Sequence, residues 1–368
     1  MARELSALLT LRDFERAAGS VLDAASWAYV AGGAAAQLTV RANAEAFDQV
    51  WLRPRALGGT TDEPDTSVTV LGQRLALPVL LAPTSPQRLL HHGAEISTAR
   101  AAEAAGSLSI VSTDSHHAFP EVAGAVKGGC WFQLYAYRSR EDVAATIALA
   151  EDAGATALVV TVDASYAARR VTTWRAGFRT PAHVDFGNLR SLGILTGEIP
   201  DGARIDRLPL TWEDLEWIRA QSQMPLVVKG ILRAEDAERC LGLGADGVIV
   251  SNHGGRQLDG AVPSLVALEQ VATAVAGRGL VLMDGGIRSG VHVAKALALG
   301  ADAVCIGRPY LWGLGLAGQK GVEAVLDLLK HEIEDTLRQL GADSVADISA
   351  DFAVRAQIRP SLAQGDIL

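Results

Sequence analysis

What most limits the fold of this chain is a repeat of secondary-structure signals rather than of letters. Short apolar runs recur, each ending in polar or glycine-rich residues: Pro78–Pro83, Leu108–Ser112, Cys130–Leu134, Ala157–Val162, Pro225–Val228, Gly247–Val250, Gly279–Met283 and Ala303–Ile306. They are mostly aliphatic and lack period-two alternation, as expected of parallel strands buried on both faces. Between most of them lie alanine-rich stretches with helical spacing, among them Ala99–Ala105, Arg140–Ala153, Ala234–Leu243, Leu265–Ala276 and Gly290–Leu299. Gly154 and Gly300 stand where helix C-caps belong. Strand–helix alternation about eight times over predicts an α/β fold, a (β/α)8 barrel. An open doubly wound sheet is the competing topology, but no G-x-G-x-x-G follows the first strand.

The 368 residues then divide into an N-terminal helical segment (1–75), the barrel (76–341) and a C-terminal tail (342–368) of one domain. Thr10-Leu-Arg-Asp13 reads as a capping box opening an early helix. Val322, Val325, Leu326, Leu329, Ile333, Leu337 and Leu340 keep the spacing of a packed amphipathic helix that Gly341 stops. One interval is too long. The mixed polar stretch 169–208 after the fourth run reads as a loop over the barrel mouth, either a lid or a surface excursion.

Composition narrows the class. A net charge of −9 without a basic tract speaks against nucleic acid as a partner. Cys130, Cys240 and Cys305 are far apart and show no metal-ligand spacing, so neither a zinc site nor a disulfide framework is expected, and a reducing cytoplasm is the simplest setting. No run is long enough for a signal peptide or a spanning helix, so a soluble protein is expected.

In such barrels reactive residues sit at the C-terminal ends of strands. Those positions hold Thr161-Val-Asp163, Lys229-Gly230, Ser251-Asn-His253-Gly-Gly-Arg256, Asp284-Gly285-Gly286-Ile-Arg288 and Gly307-Arg308. The last two loops, glycine-rich, cationic and opening helices, suit a phosphate. His253 and Arg256 place a base beside a fork for a carboxylate.

Ser-Asn-His-Gly-Gly-Arg-Gln-Leu-Asp (251–259) resembles the signature of the FMN-dependent 2-hydroxy acid oxidases and dehydrogenases. The resemblance runs from about Phe14 to Gly341, through Ala-Gly-Gly-Ala (31–34), Arg53-Pro-Arg55, Ala82-Pro83-Thr84, Phe132-Gln133-Leu134-Tyr135, Arg169-Arg170 and Val228-Lys229-Gly230. It implies FMN as cofactor. Pro83, Thr84, Ser85, Ser112, Gln133, Thr161, Lys229 and Ser251 would line the flavin ring and ribityl chain. Asp284, Gly285, Gly286, Arg288, Gly307 and Arg308 would hold the ribityl and phosphate end. Tyr29, Tyr135, Arg170 and Arg256 would bind a 2-hydroxy acid, with His253 as base, Asp163 as its partner and Lys229 as an electrostatic stabiliser. The product would be the 2-oxo acid, and oxygen or a soluble carrier the acceptor. A homotetramer is implied by the same likeness.

The chain also departs from that pattern. Ser85 replaces the usual Ala or Gly beside the flavin, and Ser112-Thr113-Asp114 replaces a Ser-Ser-Trp whose Trp would border the substrate. A carboxylate there repels a simple anion unless paired. Asp114 is expected either to meet a cationic or hydroxylated group on an unusual substrate, or to point outward or pair with His116 or His117. It also keeps open oxidation of an amine or hydroxyl on a specialised-metabolite intermediate. His91-His-Gly-Ala-Glu95 and Ser165-Tyr166 alter loops only. No apolar membrane segment stands in 169–208 and no haem domain precedes the barrel, so a soluble enzyme is expected.

Overall fold

Each apolar run is a strand because its branched aliphatic side chains pack on both sheet faces at once. The structure, a computed structural model, describes residues 5–58, 61–197, 199 and 207–355. Before the barrel come β1 (Val50–Leu52), β2 (Val68–Val70) and β3 (Gln73–Leu75). The eight runs become β4 (Val79–Leu81), β5 (Ile110–Ser112), β6 (Trp131–Leu134), β7 (Leu158–Thr161), β8 (Leu226–Ile231), β9 (Gly247–Val250), β10 (Leu280–Asp284) and β11 (Ala303–Ile306). All are parallel, in the order β4-β11-β10-β9-β8-β7-β6-β5. The seam between the first and second strands is closed by a parallel bridge from Leu81 to Ser109, where the Leu81 N–H donates to the Leu108 carbonyl at 2.9 Å. The fold is the (β/α)8 barrel that the repeat predicts.

Alternate strand residues point inward. Leu80, Ile110, Val159, Val227, Ile249 and Leu282 fill the barrel, while Val79, Val160, Val228, Val248 and Val304 face the helices. Val70 and Leu75, from the β2–β3 hairpin, join the inner cluster beside Leu108, Ala157 and Leu280 and plug the N-terminal end. The opposite end is left to the loops.

The intervening helices fall where the spacing puts them: Ala94–Ala104, Arg140–Asp152, Ala234–Gly242, Ser264–Val275 and Gly290–Ala298. The first begins about a turn earlier than its alanine run. Thr10 and Asp13 form the expected reciprocal cap, and Gly341 ends the Gln319–Leu340 helix in the left-handed region at φ 73°.

Three segments hold more than the spacing predicts. The stretch 1–75 is helical only as far as Gln49 and then turns to β1 and the hairpin. Within the predicted tail, β12 (Ala353–Arg355) returns to pair antiparallel with β1; residues 356–368 lie outside those described. The 169–208 stretch carries two short helices, Val171–Arg175 and Gly187–Ser191, and a small core in which Tyr137 packs with Leu189, Ile194 and Leu195. Its residues 198 and 200–206 are outside those described. No helix among the described residues is long and apolar enough to cross a membrane.

Candidate active site

One cavity opens at the C-terminal ends of the strands, and most of the residues singled out above line it: Tyr29, Pro83, Thr84, Ser85, Ser112, Asp114, Tyr135, Arg170, Lys229, His253, Arg256, Asp284, Gly285, Gly286, Arg288, Gly307 and Arg308. Gln133, Thr161 and Ser251 are buried on the adjoining strands, and Asp163 stands behind His253.

At its centre His253 Nδ1 lies 2.8 Å from Asp163 Oδ1. An ionised carboxylate can only accept, so Nδ1 carries the proton and Nε2 is left with a lone pair. Tyr135 Oη is 3.5 Å from that Nε2. Burial holds the imidazole below its ordinary pKa, and Lys229 pushes the same way against the opposing pull of Asp163. Burial pushes the Asp163 carboxyl upward, but its interaction with His253, which also donates a hydrogen bond to it, and the charge of Lys229 outweigh that and hold the carboxyl low. The pair therefore reads as neutral imidazole beside carboxylate at neutral pH.

The loop that presents His253 is held under tension. His253 has φ 59°, unusual for a residue with a side chain and costing about 1–3 kcal/mol. Its anchors come from the N-terminal segment. Asn43 and Asn252 exchange side-chain hydrogen bonds of 2.8 and 2.7 Å while fully buried. Asp259 accepts from the Ala36 and Thr39 N–H groups, so its carboxylate sits at the N-terminus of the Leu38–Glu45 helix, where the dipole favours it.

Gly286 completes that clamp. It has φ 82°, and a Cβ there would stand 1.9 Å from the Asn43 carbonyl oxygen. Gly286→Ala is expected to lower stability by roughly 2–5 kcal/mol, from backbone strain plus a forced shift of the Asn43 helix. Urea denaturation measures this, and flavin content after desalting should fall with it; a shift below about 1 kcal/mol would count against the clamp.

Lys229 is buried on β8 and bonds Ser251 Oγ at 2.9 Å and the Asp284 carboxylate at 3.2 Å. Burial alone would lower its pKa, but Asp284 and Asp163 raise it above the ordinary lysine value. It stays charged. Beside it, Gln133 Nε2 and Thr161 Oγ1 are buried without a hydrogen-bond partner. Buried polar atoms are nearly always satisfied, so these two on adjacent strands mark polar ligand contacts.

The arginines divide the cavity. Arg170 Nε is buried and unpartnered. Arg256 Nη1 donates to the Tyr29 and Gly32 carbonyls at 2.7 and 2.9 Å, at the end of the Ala24–Ala31 helix. Burial and the charge of Arg170 lower the Arg256 pKa to about 10. Arg308 lines the cavity beside Gly307, where its three nitrogens donate to the Val30, Gly254 and Gly32 carbonyls and, among the described residues, one N–H on each Nη is left over. Burial, Arg256 and Arg288 bring it down to about 9. Arg288 is also lowered by burial, with its guanidinium over Trp312 and Nη1 bonded to the Ile287 carbonyl. So many crowded cations ask for anions at both ends of the cavity.

Asp114 meets neither His116 nor His117. His116 Nδ1 accepts from the Asp185 N–H, and His117 faces Glu121. Asp114 instead accepts from Tyr137 Oη at 2.6 Å and from Arg207 Nη2 at 2.9 Å. The Ser85 hydroxyl donates to the Asp114 carbonyl. Reading the sequence missed Arg207 and Asn43, because each reaches the site across the fold from a segment with no motif of its own, and Tyr137, which stands two residues beyond the Phe132–Tyr135 motif.

Residues 18–355 match the family described as FMN-dependent dehydrogenase. The chain belongs to that family. It is 43% identical to 4-hydroxymandelate oxidase of Amycolatopsis orientalis, over 92% of this chain and 96% of that one. It is 40% identical to L-lactate oxidase of Nostoc sp., over 95% and 98%. Its structure superposes on that of a mandelate oxidase with (S)-4-hydroxymandelic acid at a TM-score of 0.87, with 41% identity, covering 92% and 96% of the two chains. As a member of the FMN-dependent 2-hydroxy acid oxidase family it is a flavoprotein oxidoreductase acting on CH–OH, and its cofactor is FMN.

The cavity suits that cofactor on its own evidence. Lys229 lines the cavity and offers a fixed positive charge there, and the unpartnered polar atoms of Gln133 and Thr161, buried on the neighbouring strands, would suit the polar edge of a flavin ring. Gly285, Gly286 and Arg288 lie just ahead of the Gly290–Ala298 helix N-terminus, the chemistry that a phosphate requires.

Proposed function

We propose that this enzyme oxidises a 2-hydroxy acid to the 2-oxo acid, with His253 as base and with Arg170 and Arg256 holding the carboxylate. The observation that carries the reading is the unpartnered, buried Arg170 Nε, lining the same cavity as Arg256 and the lone-pair nitrogen of His253. A buried donor without a partner costs about 1–3 kcal/mol, and a ligand carboxylate relieves it.

FMN, held by the residues that line the cavity, would supply the acceptor for the C2 hydrogen and its two electrons. Arg256 and Arg170 fix the carboxylate, so the C2 hydroxyl is presented to His253. His253 Nε2 takes the hydroxyl proton, and Asp163 stabilises the imidazolium that forms. Tyr29, whose hydroxyl donates to the Ser85 carbonyl at 3.0 Å, and Tyr135 complete the substrate wall. Lys229 keeps a positive charge where electron density accumulates. Oxygen is the acceptor we favour, because the similar enzymes above carry the name oxidase. The amine alternative stood on Asp114, whose charge Arg207 already matches.

The test is anaerobic addition of a panel of 2-hydroxy acids to the yellow holoenzyme. One member should bleach it, and air should restore the colour quickly. If none does, the reading fails. The pH profile is a second check. The base works deprotonated, so kcat/KM should rise with pH through a midpoint below the ordinary histidine value of about 6.5 and then level off. Asp163→Asn removes the group that raises the His253 pKa, so the midpoint should move lower still. The plateau should fall by roughly 100-fold or more, because the amide can also hold the wrong tautomer. A plateau within threefold of wild type would argue against the dyad.

A further inference from the structure

The far wall of the cavity carries an ion pair that the reaction above does not use. Arg207 Nη2 meets Asp114 Oδ2 at 2.9 Å, Arg207 Nε donates to Tyr137 Oη at 3.2 Å, and Nη1 to the Ala164 carbonyl at 3.3 Å. The guanidinium carbon lies 3.5 Å from the centroid of the Tyr135 ring, over the tyrosine whose hydroxyl approaches His253. Both side chains are partly shielded, at 25% and 15% exposure, and both line the cavity. Resting on the 2-hydroxy acid reading, we propose that the Asp114–Arg207 pair is the specificity determinant of this enzyme: it selects substrates whose side chain ends in an uncharged hydrogen-bonding group, such as a hydroxyl or an amide.

The argument is one of charge and valence. A second carboxylate on the substrate meets Asp114 as a like charge, and the attraction of Arg207 is already matched by its partner. An ammonium meets the mirror image of the same problem. An apolar tail covers the pair and removes its remaining water without replacing any hydrogen bond, which is unfavourable. A neutral polar group loses nothing. Of the five N–H groups on a guanidinium, the bonds among the described residues use three, leaving one on each Nη nitrogen. Each Asp114 oxygen accepts one bond and has a lone pair to spare. The wall therefore offers both donors and acceptors with no net charge. A cationic substrate group, one of the expectations for Asp114, has lost its reason, since Arg207 holds that place.

The experiment uses holoenzyme and four 2-hydroxy acids of one carbon skeleton, ending in a carboxamide, a carboxylate, an ammonium or an isopropyl group. Wild type should favour the carboxamide at least tenfold in kcat/KM over each of the others. Asp114→Asn keeps the Tyr137 bond but uncovers Arg207, so the carboxylate-to-carboxamide ratio should rise at least tenfold. Arg207→Met uncovers Asp114, so the ammonium-to-carboxamide ratio should rise instead. A wild-type preference for the isopropyl compound, or ratios that move less than threefold in both variants, would overturn the proposal. Calorimetric titration of the four matching 2-oxo acids reads the same ranking without turnover. If none of the hydroxy acids is oxidised but the oxo acids bind in the expected order, the proposed reaction falls and the selectivity stands. Turnover or binding with a flat ranking sinks the selectivity alone. A variant that loses its flavin leaves the wild-type ranking to decide.

Discussion

His253→Asn should slow anaerobic flavin reduction by substrate about 10²- to 10⁴-fold, the contribution expected of a positioned base. Asparagine suits this test because residue 253 sits at φ 59°, a left-handed position that Asn adopts more readily than Ala. The loop should keep its shape, held by the Asn43–Asn252 pair and by Asp259 on the Leu38–Glu45 helix. With Arg170, Arg256 and both tyrosines in place, the dissociation constant of a 2-hydroxy acid should change by only a few-fold. Stopped-flow reduction at several substrate concentrations separates the limiting rate from the affinity. A limiting rate within tenfold of wild type would sink the assignment of His253 as base. Loss of binding with an intact rate would reassign it to substrate placement.

Arg256→Met should act on the other quantity. Removing one partner of a desolvated charge pair costs about 2–5 kcal/mol, or roughly 30- to 4,000-fold in affinity for the carboxylate. The direction is clear from the free enzyme, in which burial and Arg170 already press Arg256 down to about 10. A bound carboxylate relieves that pressure, and methionine cannot use it. Arg256→Lys should recover only part of the loss, because a point charge lacks the planar fork. Because Arg256 Nη1 also ties the Tyr29 and Gly32 carbonyls, flavin content and unfolding midpoint must be measured beside KM. The corresponding 2-hydroxy amide, which lacks the anion, should be affected far less than the acid. Equal losses for acid and amide would show that the arginine acts through the Ala24–Ala31 helix instead.

How much of this was legible in the sequence can be judged residue by residue. His253, Lys229, Asp163 and Asp284 stand at strand ends, and a closed parallel barrel brings all its strand ends to one rim. Finding the strands was therefore enough to bring these side chains together. Arg207 could not be found this way. It lies in a mixed polar stretch, and its pairing with Asp114 spans 93 residues. Asn43 is similar, since nothing in the Leu38–Glu45 helix announces that it bonds Asn252 across 209 residues. Arg308 was placed at the rim by its glycine-rich loop, but its bonds to the Val30, Gly254 and Gly32 carbonyls could not be read from that loop.

The sequence by itself determined the barrel and which residues reach its rim, because strand burial and turn chemistry are local and repeat along the chain; the family and its cofactor came through the resemblance of the 251–259 motif. Only the tertiary structure decided what Asp114 faces, what holds the His253 loop in its left-handed conformation, and how the two halves of 1–75 are used, helices against the site and a hairpin in the barrel floor. Those are contacts between segments distant in sequence. They depend on where two pieces of backbone meet, which no short pattern encodes.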